Sequence, residues 1–235
     1  MSQTTTLILL PGLLCDPALW APQLGALADA ADCRVADMTL DDTIAGMAAR
    51  ALAAAPERFS LAGLSMGGYA AFEVMRQAPE RVERLALLDT SAKPDTPERT
   101  EGRRELVARA RESEAGFAAV VEGHLKTFVH PDRLADDALM ADIRASAMNV
   151  GREAYARQQG AIMGRADQRP NLSAIDCPTL VLCGREDALT PVAEHELIAE
   201  GIPGAALEII EDCGHLTTLE RPDAVNAALR AWLEE

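Results

Sequence analysis

Several features are scarce or missing in this chain, and each absence excludes something. No apolar run approaches the roughly 20 residues that a membrane helix needs. The opening "TTTLILLPGLL" reaches a Pro-Gly turn within a few residues of its first leucine, without the basic region, long apolar stretch and small-residue cleavage site of a secretory signal. Cysteine comes in an odd number, at Cys15, Cys33, Cys177, Cys183 and Cys213. With no C-x-x-C pair and no cysteine–histidine spacing that suits zinc, reduced thiols and no metal site are expected. A cytoplasmic protein fits these features. Positive charge is in deficit, 22 Lys and Arg against 37 Asp and Glu, for a net charge of −15. Such a field repels nucleic acid and anionic membranes, so neither is expected as a partner. Histidine is rarer still, with only four in 235 residues.

What is present is a series of short apolar runs, "TLILL", "CRVADM", "FSLAG", "RLALLD", "TLVLCG" and "LEIIE", each followed by a turn signal and a helix-like stretch. Runs of that length alternating with helical patterns predict parallel strands, buried on both faces and joined by crossover helices, hence an α/β fold. Segments such as "TIAGMAARALAAA" and "PDAVNAALRAWLEE" supply alanine- and leucine-rich helices that open on Thr or Pro. At 235 residues the chain suits one substantial domain with an insertion.

The middle departs from the pattern. From Ser91 to Pro170 only helical periodicities follow the polar opening "KPDTPERTEGRR". Roughly 80 residues are too many for a structureless loop, so residues 91–170 are expected to form a helical cap, or lid, on a core of residues 1–90 and 171–235. Charge divides at the same boundary. The insertion holds 13 basic and 13 acidic residues, so the flanking portion carries 9 basic against 24 acidic. Charges on helices are ordinarily solvated; the alternative is that some arginines of the insertion face a cleft and meet a substrate's carboxylate or phosphate.

Gly63-Leu64-Ser65-Met66-Gly67 reads G-x-S-x-G, a pattern that composition alone produces in about one chain in ten of this length. Its setting gives it weight. Phe59 to Ala62 reads as a strand and Tyr69 to Ala78 as a helix, so the serine sits at a tight strand-to-helix turn. Side chains larger than hydrogen two residues to either side would collide with the strand or the helix. The glycines let the hydroxyl stand clear of the sheet. A phosphate-binding loop also follows a strand with glycines, but its Lys-Ser/Thr ending is missing here, and G-x-x-x-G-G fails the dinucleotide fingerprint.

A lone serine is a weak nucleophile and requires a histidine base and an orienting carboxylate. His124 and His130 lie in the insertion, and His195 in "PVAEHELIAEG" falls on a helix expected to be exposed. His215 follows the last apolar run, which places it at the same edge of a parallel sheet as Ser65. For the acid, Asp187 lies just beyond "TLVLCG", 28 positions before His215. Its rivals are Glu186 beside it, Asp89 at the end of "RLALLD", and Asp212. An oxyanion hole would use the Met66 N–H and a second N–H from "LILLPGLLCDPALW". Leu13 is the candidate there, since Gly12 lets that loop approach closely.

With these residues in view, the chain resembles the α/β-hydrolase superfamily, in particular its small, capped, carboxylesterase-like members. The resemblance runs nearly the full length through "LLPGLLCDPALW", "LAGLSMGGYAAFEV", "PERVERLALLDTSA", "CPTLVLCGREDALTP" and "DCGHLTTLERPDAV". It implies Ser65, Asp187 and His215 as a catalytic triad, Leu13 and Met66 as oxyanion donors, and Ser91 to about Pro170 as the cap. Two departures stand out. Relatives commonly read His-Gly where this chain has Pro11-Gly12, and many carry a β-hairpin before the first strand, where only six residues precede it here. A sheet of about six parallel strands is therefore expected.

The implied activity is hydrolysis of a small to medium carboxylic ester through an acyl-enzyme, with no cofactor needed. The same triad also serves thioesterases, lactonases, amidases and carbon–carbon bond hydrolases, and a receptor on this fold could use the pocket for binding alone. Activity is expected to fall as pH drops through about 6 to 7, where free imidazole takes up a proton. Apolar residues of the insertion, among them Val120, Leu125, Met140 and Met163, ordinarily pack it onto the body. Trp20, Phe117, Phe128 and Met148 are the candidate contacts for a small-molecule substrate, since methionine-rich walls suit adaptable apolar groups.

Overall fold

In a computed structural model that describes residues 5–234, the alternating pattern becomes one six-stranded, wholly parallel sheet. Its strands are β1 (Thr5–Leu10), β2 (Ala31–Val35), β3 (Phe59–Leu64), β4 (Val82–Leu88), β5 (Thr179–Gly184) and β6 (Ala206–Ile210), in the order β2-β1-β3-β4-β5-β6. The chain steps outward from β1 to β2, then crosses back to lay β3 on the other side of β1. That reversal opens a crevice at the carboxyl ends of β1 and β3, where ligands of open α/β sheets bind.

Every residue of β3 and β5 is buried, as expected of strands covered on both faces. The expectation fails at β6. Its first three residues are exposed, because it is an edge strand paired only with β5.

On the body of the sheet lie α1 (Ala21–Ala26), α2 (Ile44–Ala54), α3 (Met66–Gln77), and, after a longer excursion described below, three C-terminal helices. The Thr43 side chain caps α2 by accepting from the Gly46 N–H at 3.0 Å, and Ile44, Met47, Ala48 and Ala51 form its buried stripe. Helix α3 is buried from Met66 to Met75, which its small residues allow.

Between β4 and β5 the described residues form no strand. They form α4 (Pro97–Glu112), α5 (Glu114–Phe128) and α6 (Asp137–Met163). The continuous helical periodicity of "GRRELVARARESEAGFAAVVEGHL" is broken at Ser113, whose side chain accepts from the Gly116 N–H and starts α5 afresh. In α6 the break between its two halves falls at Gly151, with φ 76° and ψ 163°, a conformation that glycine adopts readily.

The remaining helices are α7 (Val192–Gly201), α8 (Thr217–Glu220) and α9 (Pro222–Glu234). Helix α7 corrects one expectation. His195 is fully buried rather than exposed, and its Nε2 accepts from the Thr90 N–H at 2.8 Å, because α7 packs that face against the sheet. No described helix is long and apolar enough to cross a membrane.

Candidate active site

Strand β3 ends at Leu64 and α3 begins at Met66, leaving Ser65 alone at the turn with φ 56° and ψ −113°. A non-glycine residue held there costs about 1–3 kcal/mol. Four bonds compensate. The Ser65 N–H donates to Leu88 O at 2.9 Å, and its carbonyl accepts from the Gly68 and Tyr69 amides and from Thr90 Oγ1. A Cβ on Gly63 would overlap the Gly67 carbonyl, and one on Gly67 would overlap the Leu10 carbonyl, so both positions require glycine.

The loops after β5 and β6 bring two more side chains to this turn. His215 Nε2 lies 2.9 Å from Ser65 Oγ, and His215 Nδ1 lies 2.7 Å from Asp187 Oδ2. Asp187 Oδ1 accepts from the Leu189 and Thr190 amides at 2.8 and 2.9 Å, while Oδ2 also accepts from Thr190 Oγ1. An ionised carboxylate can only accept, so Nδ1 carries the imidazole proton and Nε2 is free to accept from the serine hydroxyl.

Burial tends to raise the Asp187 pKa, but the neighbouring His215 and these donated hydrogen bonds outweigh it and hold the carboxyl below its ordinary range. For His215 burial works to lower the pKa. The Asp187 charge and hydrogen bond prevail and raise it.

The rivals of Asp187 sit elsewhere. Glu186 accepts from the Cys213 N–H, and Asp212 is a surface residue. Asp89 is fully buried and accepts from Gly184 N, Thr217 N and Thr217 Oγ1, not from His215.

Two supports of this arrangement escaped the sequence reading. Buried Glu220 gathers the amides of Gly214, Leu216 and His130 onto one carboxylate, at 3.1, 3.2 and 2.7 Å. The Phe128 carbonyl, at the end of α5, accepts from the His215 and Leu216 amides. Gln158 of α6 is the second support. Its Oε1 accepts from the N–H of Leu14, which has φ 60°, and its Nε2 donates to Met38 O.

The loop after β1 lies close to the serine, since a Cβ on Gly12 would stand 3.4 Å from Ser65 Cβ. Among the described residues the Leu13 N–H meets no acceptor. Met66 opens α3, so its N–H has no partner within the helix.

Ser65 and His215 open onto a cavity of about 470 Å³, closed from the other side by Arg103, Leu106, His124 and Phe128. Of the four candidate substrate contacts, only Phe128 lines it. Trp20 is fully buried in the core, and Phe117 packs on Tyr155 with ring centroids 5.9 Å apart. Met148 is 41% exposed and does not reach the cavity. Tyr69 and His124 line it without having been expected, and Arg103 lines it as one of the insertion's arginines that the alternative reading turned toward a cleft. For His124 a signal existed: it falls on the apolar face of α5, four residues from Val120 and from Phe128, where a polar residue is out of place.

All five cysteines are free thiols. Burial pushes those of Cys15 and Cys183 up to about 12, which leaves them unreactive. Among the described residues no three His, Cys, Asp or Glu side chains cluster as metal ligands would.

Comparison with known proteins gives a consistent picture. A family model described as the alpha/beta hydrolase family matches residues 7–228. A solved esterase from Thermogutta terrifontis is 31% identical, superposes with a TM-score of 0.89, and the match covers 98% of this chain and 89% of that one. The enol-lactonase of Burkholderia xenovorans is 27% identical, with a TM-score of 0.86 and coverage of 98% and 92%. Among curated relatives, 3-oxoadipate enol-lactonase 2 of Acinetobacter baylyi is 28% identical over 173 residues. That match takes in 73% of this chain and 62% of the lactonase's length.

Proposed function

Because the chain belongs to the alpha/beta hydrolase family, and is a hydrolase by that kinship, we propose that it cleaves small to medium carboxylic esters through an acyl-enzyme on Ser65. The observation that carries this reading is the unbroken hydrogen-bonded line from Ser65 Oγ through His215 to Asp187, opening onto a cavity of small-ligand size.

In this mechanism Ser65 Oγ attacks the ester carbonyl while its proton passes to His215 Nε2. Asp187, held by the Leu189 and Thr190 amides, fixes the imidazole tautomer and stabilises the imidazolium that forms. The Leu13 and Met66 N–H groups, both without acceptors of their own among the described residues, receive the oxyanion. His215 then protonates the leaving alcohol, and a water activated at the same nitrogen hydrolyses the acyl-enzyme. Residues 91–170, with helices α4 to α6, act as a cap that excludes bulk water from the reaction. The substrate is a small molecule and the setting cytoplasmic, which the free thiols support.

A lactone is a cyclic ester, and two of the relatives named above are enol-lactonases. Lactone opening by the same steps is the second reading.

The test is labelling with a fluorophosphonate probe, followed by assay on nitrophenyl esters, acyl thioesters and lactones. The expected result is one labelled serine, lost in Ser65→Ala, with turnover falling by about four to six orders of magnitude in a protein that stays folded. A Ser65→Ala variant that still labels and turns over ends the proposal. Turnover of thioesters in preference to oxygen esters and lactones would change the substrate class while leaving the nucleophile.

A further inference from the structure

The cavity wall opposite Ser65 carries more polar apparatus than the chemistry above uses. Arg103 on α4 and Arg165 share one carboxylate, Asp95. Arg103 Nε lies 2.6 Å from Asp95 Oδ2, and Arg165 Nη1 lies 2.6 Å from Asp95 Oδ1. The Asp95 and Arg165 side chains are 1% and 4% exposed, and Arg103 is 21% exposed. Two cations on one anion leave a net positive charge in a largely desolvated place. Arg165 pairs with Asp95 by charge, spends its donors on the Lys93 and Ile162 carbonyls, and stacks on the Tyr69 ring. Arg103 is the member of the group that lines the cavity.

Beyond its bond to Asp95, Arg103 Nη1 donates to Gln159 Oε1 at 2.8 Å. A guanidinium cannot accept, so the Gln159 amide must turn its oxygen to Arg103 and its nitrogen to Tyr155 Oη, 2.9 Å away. Tyr155 is fully buried, and its hydroxyl, already accepting from Gln159, has one other neighbour, His124 Nε2 at 3.0 Å. Were Nε2 to donate, the buried phenol proton would have no acceptor, so Tyr155 donates and Nε2 accepts. The His124 proton is thereby fixed on Nδ1, which meets no acceptor among the described residues and is not sealed from the cavity that His124 lines. Burial, then the Arg103 charge, pushes the His124 pKa down to about 4, so the ring is a neutral donor at neutral pH.

Among the described residues Arg103 retains three N–H groups without an acceptor, and His124 one. The wall is therefore a pre-oriented set of donors with no acceptor beside an uncompensated positive charge. Glu105, the acidic residue of α4 that lines the cavity, is exposed and forms no ion pair with Arg103.

We propose that Arg103 and His124 bind a carboxylate carried by the substrate, so that the preferred substrate is an ester or lactone bearing a free carboxylate besides the bond that is cut. This rests on the reading of Ser65 as the nucleophile. A chain carrying −15 overall would otherwise repel such a substrate, and the neutral stretch of residues 91–170 places the donors where the anion must arrive.

The experiment compares nitrophenyl hydrogen succinate, glutarate and adipate with the neutral nitrophenyl esters of equal length, and acyl hydroxybenzoates with acyl hydroxybenzamides, taking the ratio of kcat/KM within each protein. At least one acid/neutral pair should favour the acid by about tenfold or more. That ratio should collapse toward one in Arg103→Gln and fall severalfold in His124→Phe. Arg103→Lys, which keeps the charge and the Asp95 pair, should retain most of it and serves if the Gln variant fails to fold.

Calorimetry on Ser65→Ala with glutarate against glutaramide supplies a readout that needs no turnover. Glutarate binding that is lost in Ser65→Ala/Arg103→Gln supports the carboxylate site on Arg103 and His124 even if no ester is cleaved, which would sink only the reading of Ser65. No acid preference in any pair together with equal binding of the two ligands overturns the carboxylate site, and so does a preference that survives both Arg103→Gln and His124→Phe.

Discussion

Thr217 gives its hydroxyl proton to the Asp89 carboxylate at 2.6 Å, and this bond, with the Gly184 amide on the other oxygen, holds a second buried acid near Asp187 without letting it touch His215. The two acids answer burial differently. Burial, then the charge of Asp187, pushes Asp89 well above the usual carboxylate range. Asp187 meets burial with a histidine partner and three donors from Leu189 and Thr190, and stays below that range. Two anions so close cannot both be cheap, and Asp187 is the one kept ionised against His215.

On the proposed mechanism this pairing sets the acid limb of the rate. His215 must be neutral to accept a proton, and its pKa lies above the ordinary 6.5. The midpoint of log kcat/KM against pH should therefore fall above 6.5, higher than imidazole alone predicts. Asp187→Asn removes the cause of the rise. The limb should shift to lower pH while kcat drops by about three to four orders of magnitude, since the amide favours the wrong tautomer. A pH profile of both proteins on one neutral ester checks it, and an unmoved limb would detach the acid from the base.

The same shifts carry a stability prediction. The depressed Asp187 pKa contributes stability that is present above its unfolded value of 3.8 and is lost as pH falls through the lower folded value. The raised His215 pKa contributes stability present below 6.5 and lost as pH rises through the higher folded value. Both contributions coexist between 3.8 and 6.5. Urea midpoints of wild type and Asp187→Asn should thus differ most in that window and converge toward strongly acid pH.

Glu220 is predicted to matter almost as much to the rate as to the fold. Glu220→Ala leaves the Gly214 and His130 amides without their buried acceptor and the Leu216 amide with the Phe128 carbonyl alone, at about 1–3 kcal/mol for each donor that finds no replacement. A loss of about 3 kcal/mol or more in urea denaturation is expected. Two of those amides flank His215, so kcat should fall about a hundredfold through misplacement of the imidazole, with nothing removed from the reacting atoms. Glu220→Gln, which keeps one acceptor oxygen, should fall between.

How much of this was legible in the sequence depends on the range of the interaction behind each feature. Gly63 is dictated by local sterics, a strand and a helix meeting at Ser65, and Gly67 by the carbonyl of Leu10 on the neighbouring β1; both leave their mark in one short motif. His215 and Asp187 could be reached because each follows an apolar run that ends at one rim of the sheet. The break at Ser113, the glycine kink at 151 and the burial of His195 depend on caps and packing that periodicity does not encode. Trp20, Phe117 and Met148 were misplaced because an apolar side chain looks the same in sequence whether it faces the core, the cavity or water. Glu220 reaching His130, and Gln158 reaching Leu14 across 144 positions, have no local signature at all.

Gln158 gives the most discriminating test of that last kind of contact. Leu14 stands at φ 60°, a conformation costing about 1–3 kcal/mol for a residue other than glycine. Its N–H donates at 3.1 Å to a side chain that is itself fully buried and tied to Met38, and this bond backs the turn closed by the Cys15 N–H on the Gly12 carbonyl. Gln158→Leu keeps the volume and removes that acceptor, so Leu14 can relax to negative φ and carry the adjacent Leu13 N–H out of line with an oxyanion. The expected result is a loss of about a hundredfold in kcat with a far smaller change in KM, because an oxyanion donor acts on the transition state and little on the bound ester. Gln158→Glu retains an oxygen for the Leu14 N–H while losing the donor to Met38, and should keep more of the rate. Equal kinetics in the two variants would mean that the loop holds its shape without Gln158, and that its strained backbone has another support.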